Sequence, residues 1–539
     1  MLKLPKLALL CFLFIVPAFN ITKGQSAQNN MPRIIKKDGR YAFMVDGKPY
    51  FMFGGQVHNS SAWPGMMPQV WAAVQQMHLN TLEIPIYWEQ VEPQQGKFDF
   101  SMIDLLLKQA REHKVRLVLL WFATWKNGSN HYMPEWMKSS AAKYPNITGP
   151  GGKPIDSPSP HIQATMDADI AAFRQVMRRL KATDRQHTVI MVQVENESGA
   201  WGSMRDYSPL AQKLFEGPVP AELLKPALLR ELHTEDPAGG SWEKVFGDRA
   251  DEYFHAWSVA SFIGNVAAAG KKEYNLPLYT NAALRDPITN PKANTYESGG
   301  PTDNVIPIWK IAAPAIDLLA PDIYLPENEK VLKVLELYSR RDNPLFVPEA
   351  AFNATNARYL YEVIARGGIG FSPFGIDNNN RGTSFAGFNK SLEPFGNEYA
   401  MFAGIPQLAE WVLAGKISAA VEPEDHKEQT INLGAWQAVI SFGSARNAVA
   451  PATDLPLGRI MLVKLTDDRF IAIGSHCHIT FKPLGGNSGK TWQYLKVEEG
   501  SYENGIFKPL RILNGDETDW GGPAFGDKPE ILQIKLITR

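Results

Sequence analysis

The chain has 539 residues, enough for two or three domains. It is 44% hydrophobic and 21% charged, and its 55 basic against 56 acidic residues leave a formal net charge of −1. That balance argues against a polyanion-binding protein and no nucleic-acid partner is expected, while 14 Trp suit a large core or stacking on sugar rings.

At the start, Lys3 and Lys6 precede an apolar run over 7–19, and Gly24, Ser26 and Ala27 offer small residues for cleavage. The pattern predicts a signal peptide over 1–27 and an exported protein, periplasmic or secreted, of bacterial type. The run is too short to anchor in a bilayer, so no membrane insertion is expected after cleavage. Only Cys477 would then remain, which rules out an intramolecular disulfide. Nothing in the pattern specifies an oligomeric state.

Residues 28–50 carry two turn signals, Asp38-Gly39 and Asp46-Gly47, between short alternating segments. They predict a β-hairpin or meander leading into the main domain. From residue 51 strand and helix patterns alternate. Strands are expected at 50–56, 80–85, 116–121, 188–195, 277–280, 316–320, 345–349 and 368–373. Helical stretches separate them, and in 101–113 the apolar Ile103, Leu106, Leu107 and Ala110 follow one helical face. The rhythm predicts an α/β fold, a (β/α)8 TIM barrel over 51–418, with long loops at 126–160 and 203–243. A doubly wound sheet is the rival, but no Gly-rich phosphate loop follows the first strand.

Beyond the barrel, alternating segments at 436–442, 459–465, 470–476, 491–497 and 531–538 predict a C-terminal all-β, sandwich-like domain over 419–539. Within it, His476-Cys477-His478 does not converge as a metal site. On a strand the two histidines share a face and the cysteine faces away. Neither a metal nor a cofactor is expected.

Chemistry concentrates in 188–202, TVIMVQVENESGAWG. The apolar β-branched run over 189–194 reads as a strand buried on both faces, ending in Glu195-Asn196-Glu197. Carboxylates at the carboxyl end of a barrel strand emerge where active sites are built. Glu349 stands at the matching end of the seventh expected strand, so Glu197 and Glu349 can face each other across the mouth. Retaining glycosidases need such a pair about 5–5.5 Å apart. Glu195, two residues back, is expected on the same side but about 7 Å deeper, in a structural role. Trp88 and Trp121 are balanced between core and sugar platform.

The segment W-x-x-x-E-P-x-x-G-x-F-x-F over 88–100, with Gln193-Val194-Glu195-Asn196-Glu197, resembles glycoside hydrolase family 35, the β-galactosidases. Gly54-Gly55-Gln56-Val57-His58-Asn59-Ser60-Ser61, the Trp125-Lys126-Asn127 loop and the trailing β domain are similar to a bacterial branch that includes xyloglucan-processing members. The resemblance implies a retaining exo-β-galactosidase acting on an oligosaccharide. It assigns Glu197 as acid/base and Glu349 as nucleophile, and gives Asn196 the sugar 2-hydroxyl. Tyr324 would either donate to the nucleophile or serve as a core or rim residue. The chain departs from the family at Pro85, Thr124 and Ala351, where members carry Tyr, Glu and Tyr. Gln56, His58, Trp125, Lys126 and Asn127 are the candidates to replace the lost sugar contacts. The alternatives are a retaining barrel glycosidase with another sugar specificity and a non-catalytic carbohydrate-binding barrel.

Overall fold

The computed structural model describes residues 31–234, 239–377, 391–442 and 455–539. The expected signal peptide lies outside them. Eight parallel strands close into a barrel: β1 Met52–Gln56, β2 Thr81–Tyr87, β3 Arg116–Lys126, β4 Val189–Asn196, β5 Leu278–Ala283, β6 Leu318–Ile323, β7 Val347–Ala350 and β8 Gly370–Pro373. Each pairs with its sequence neighbour, and β8 returns to β1 through Gly370↔Met52 and Phe371↔Phe53. All eight residues of β4 are buried, as an apolar run covered by side chains inside and helices outside requires. The helix Ser101–His113 buries Ile103, Leu106, Leu107 and Ala110, and Lys114 closes it in the left-handed conformation at φ 58°.

Two strands depart from the expected bounds in ways that matter. β3 runs five residues further than the apolar pattern, to Lys126, because its register with β4 slips between Trp121 and Lys126. Such a bulge re-aims side chains at a barrel rim. The strand Ile417–Val421, unforeseen in the sequence, crosses position 418 and pairs with Arg459–Lys464 in the C-terminal region.

Ahead of the barrel, Arg33–Lys37, Arg40–Val45 and Lys48–Tyr50 form an antiparallel meander. Its turns place Asp38, Gly39, Asp46 and Gly47 at φ 50°, 80°, 50° and 77°, the left-handed pairs that Asp-Gly favours.

After the barrel come a six-stranded and a four-stranded sheet. Alternation along the six-stranded sheet divides its side chains between two cores. Ile460, Leu462, Phe470, Ala472 and Leu532 join Trp436, Ile440, Ile479 and Phe481 of the four-stranded sheet. Met461, Val463, Ile471, Ile473 and Ile531 belong instead to the large core that fills the barrel and its helices. The six-stranded sheet is therefore covered on both faces. Beneath it Arg459 is buried, its Nε donating to Glu398 Oε1 at 2.7 Å, while Tyr361 Oη donates to Glu398 Oε2 at 2.6 Å. Among the described residues, no helix is long and apolar enough to cross a membrane.

Candidate active site

The carboxyl ends of β4, β6 and β7 bring Glu197, Asp322 and Glu349 together, with a carboxylate oxygen of each within 4.8 Å of the others. Asp322 and Glu349 are register partners on adjacent strands, which sets that part of the cluster. Glu197 lies one residue past β4 and its backbone is unusual. Glu195 and Glu197 both adopt left-handed φ, at 61° and 43°, on either side of Asn196. Residues held there cost about 1–3 kcal/mol each and need surrounding bonds to persist. Those bonds are present. Gly128 N–H donates to the Glu197 carbonyl at 2.9 Å, Asn127 N–H to the Asn196 carbonyl at 3.2 Å, and Glu197 N–H to Asn281 Oδ1 at 3.1 Å. Asn281 Nδ2 in turn donates to Asp322 Oδ2 at 2.6 Å.

Glu349 is buried and held at both oxygens. Gln56 Nε2 donates to Oε2 at 2.7 Å, and the Tyr324 hydroxyl donates to Oε1. Burial, and then the Glu197 carboxylate, push its carboxyl up to about 7, against the Lys126 ammonium and the two donors, which favour the ion. Burial and the charges of Glu349 and Glu197 hold Asp322 well above the usual carboxylate range. A side-chain hydrogen bond with Glu197 raises Asp322 further. Three carboxylates this close and this dry do not all ionise together.

Lys126 is buried and its Nζ donates to Asn196 Oδ1 at 2.7 Å. That bond fixes the amide's orientation, since the ammonium needs an acceptor, and leaves Asn196 Nδ2 without a partner among the described residues. The three carboxylates form an all-oxygen donor set of the kind hard cations take. Here the Lys126 ammonium already acts on both Asp322 and Glu349 as the positive charge.

Of the residues singled out in the sequence, Glu197, Glu349, Asn196, Gln56, Lys126 and Tyr324 converge. His58 stands at the rim, bonded to Asp377 through Nδ1 at 2.7 Å and through its backbone N–H at 2.9 Å. Asn127 is exposed on the turn after β3, at φ 52°. Trp125 points elsewhere. Its side chain is fully buried, edge-on to Phe262 at 4.9 Å, with Nε1 donating to Ser157 Oγ at 3.2 Å, so it offers a ligand no surface. Past the bulge in β3 successive side chains take opposite faces, Trp125 outward and Lys126 inward. Trp88 and Trp121 are likewise buried, their indole N–H groups on Glu92 and Asp169 at 2.9 Å each.

Glu195 is structural, but not where regular alternation puts it. Its left-handed backbone turns the carboxyl away from the mouth, to accept from Trp125 N–H at 2.6 Å and to meet Asp169 of the outer helix Gln163–Thr183. Burial, then the Asp169 charge, hold its carboxyl well above the usual range, and burial raises Asp169 as well.

Asp322, Asn281 and Glu297 enter the site without having been picked out in the sequence. Asp322 carries the same signal as the two glutamates, an acid at a strand's carboxyl end. Glu297 sits in the irregular stretch between β5 and β6, where no periodicity marks it.

Residues 61–259 match a glycoside hydrolase family 42 model described as β-galactosidase, and residues 395–524 match a family described as a domain of unknown function. A β-galactosidase of Xanthomonas manihotis is 29% identical over 173 residues, covering 31% of this chain and 26% of that protein. β-Galactosidase 11 of Arabidopsis thaliana is 31% identical over 104 residues, covering 18% of this chain and 12% of its own length. The chain thus spans about a quarter or less of these relatives' lengths. A crystal structure of a β-galactosidase from Rahnella sp. R3 aligns with a TM-score of 0.44 at 16% identity, over 68% of this chain and 56% of that one.

Proposed function

We propose that the chain is a retaining glycoside hydrolase that removes terminal β-galactosyl residues from plant-polysaccharide oligosaccharides such as xyloglucan side chains. The observation that carries this reading is the Glu197–Glu349 pair, with carboxylate oxygens within 4.8 Å at the ends of strands four and seven. That spacing suits direct attack on the sugar, whereas inversion needs about 6.5–9.5 Å to admit a water between the groups. Glu349, oriented by Gln56 and Tyr324, attacks the anomeric carbon. Glu197 gives its proton to the departing oxygen, then takes one from the water that breaks the glycosyl–enzyme ester and frees Glu349. Asp322, sharing a hydrogen bond with Glu197, orients the acid. Asn196 Nδ2, held ready by Lys126, donates to a hydroxyl of the bound sugar.

The sugar and the family rest on sequence. The 88–100 segment and Gln193–Glu197 support the family 35 branch, and matches to proteins described as β-galactosidases support galactose. The N-terminal 1–27 pattern supports export.

The test uses a panel of aryl β-glycosides. Galactoside turnover with the β-anomer as first product is expected. Glu349→Gly should lose about 10⁴-fold or more in kcat, with partial return in azide and an α-galactosyl azide product. Full activity of that variant without azide would remove Glu349 as the nucleophile, and preference for another glycoside would remove galactose as the substrate.

A further inference from the structure

The loop leaving β4 is bolted to the stretch before β6. Gly199 lies at φ 134°, where a Cβ would come within 2.4 Å of the Ser298 carbonyl oxygen, and a Cβ on Gly300 would meet the Ser198 carbonyl at 2.5 Å. The backbones exchange both bonds, Ala200 N–H to Ser298 O at 2.9 Å and Ser298 N–H to Ala200 O at 3.1 Å. Ser157 Oγ donates to the Gly199 carbonyl at 2.7 Å from a third segment. This frame carries Trp201, four residues beyond Glu197.

Trp201 is 51% exposed, yet its indole is not loose. Its Nε1 donates to Glu297 Oε1, and the Gly128 turn lies so close that a Cβ there would sit 3.1 Å from Trp201 Cδ1 and 3.2 Å from Glu297 Oε1. Glu297 is 2% exposed, and its other oxygen, Oε2, has no hydrogen-bond partner among the described residues. A fixed, solvent-facing indole beside an unsatisfied buried oxygen is costly in the free protein. A pyranose answers both, with an apolar face of C–H groups and hydroxyls at its edge.

We propose that Trp201 and Glu297 form the subsite for a pyranose leaving group, the ring lying on the indole and a hydroxyl bonding Glu297 Oε2. The assignment rests on the glycosidase reading, because it follows from where the acid acts. Glu197 protonates the departing oxygen, so the surface continuing from Glu197 along its own loop borders the group that leaves. Glu297 lies near enough for the Glu197 charge to act on its carboxyl, second only to burial in holding it well above the usual range.

The experiment compares a galactosylated xyloglucan oligosaccharide with β-galactosyl fluoride, whose leaving group has no ring. For Trp201→Ala, the ratio of kcat/KM on the oligosaccharide to that on the fluoride should fall about tenfold or more. Trp201→Phe, which keeps a ring, should lose less. Fluoride turnover in the same variants reports that they fold. An unchanged ratio in Trp201→Ala overturns the subsite while leaving the glycosidase reading intact. A wild type that cleaves only the fluoride also overturns the subsite. A wild type that cleaves neither overturns the glycosidase reading, and the subsite with it.

Discussion

At Glu349 opposing effects meet on one carboxyl group. Burial and the Glu197 charge raise it, while Lys126, Tyr324 and Gln56 draw it back to about 7. As the proposed nucleophile Glu349 must be ionised, so kcat/KM should rise with pH through about 7 on its acidic side. Lys126→Met removes an ammonium that favours the ion, which moves that acidic limb to higher pH and lowers kcat/KM at pH 7 on the order of tenfold. A pH–rate profile of the variant superimposable on that of wild type would deny Lys126 this electrostatic role. The same lysine marks where side-chain direction stops being legible in the sequence. Position at the carboxyl ends of the expected strands located Glu197 and Glu349, while side-chain direction was read from alternation along a regular strand. In β3 the bulge breaks that rule, since Trp121 and Thr124, three residues apart, both reach Asp169 on the outer helix. The left-handed backbone at Glu195 defeats the rule in the same way.

Among the elements, β1, β2, β5 and β8 meet around another buried acid, Glu83. Glu83 of β2 accepts from Tyr279 of β5 at 3.1 Å and from Ser372 of β8. Gly54 of β1 leaves the room, since a Cβ there would lie 2.0 Å from Ser372 Oγ. Burial pushes Glu83 up to about 8, from 4.5 for an exposed glutamate. The folded chain then holds a proton that the unfolded chain has released. The resulting stability is fully present below 4.5, declines as pH rises, and is gone above about 8. Glu83→Gln should flatten this part of the pH dependence, worth on the order of a few kcal/mol. Melting temperatures at pH 5 and pH 9 decide it. Equal wild-type and variant differences between the two pH values would mean that Glu83 does not titrate as the fold implies. The eight strands themselves were readable because each is an apolar run between turn residues. The strand Ile506–Leu513 was not, because Ile506, Leu510 and Ile512 are exposed and no buried face imprints a period on it.

Across the whole molecule, the barrel and the six-stranded sheet share one core, and Arg459 with Glu398 and Tyr361 closes it. Removing the cation while leaving Glu398 buried should cost about 3–5 kcal/mol. Arg459→Met is therefore expected to lower the melting temperature of the entire chain and with it the thermal half-life of any catalytic activity. A wild-type melting temperature in that variant would show the two regions to be energetically separate. The seam also sets an order on folding during synthesis. The strand Glu530–Thr538 is not at the sheet's edge but inside it, between Arg469–Ser475 and Trp492–Glu503, and its Ile531 reaches the barrel core. A chain emerging from the ribosome N-terminus first has translated all eight barrel strands well before that strand appears. Until it does, Arg469–Ser475 and Trp492–Glu503 lack the strand that joins them and the place of Ile531 against the barrel core is unfilled, so the sheet closes late in synthesis.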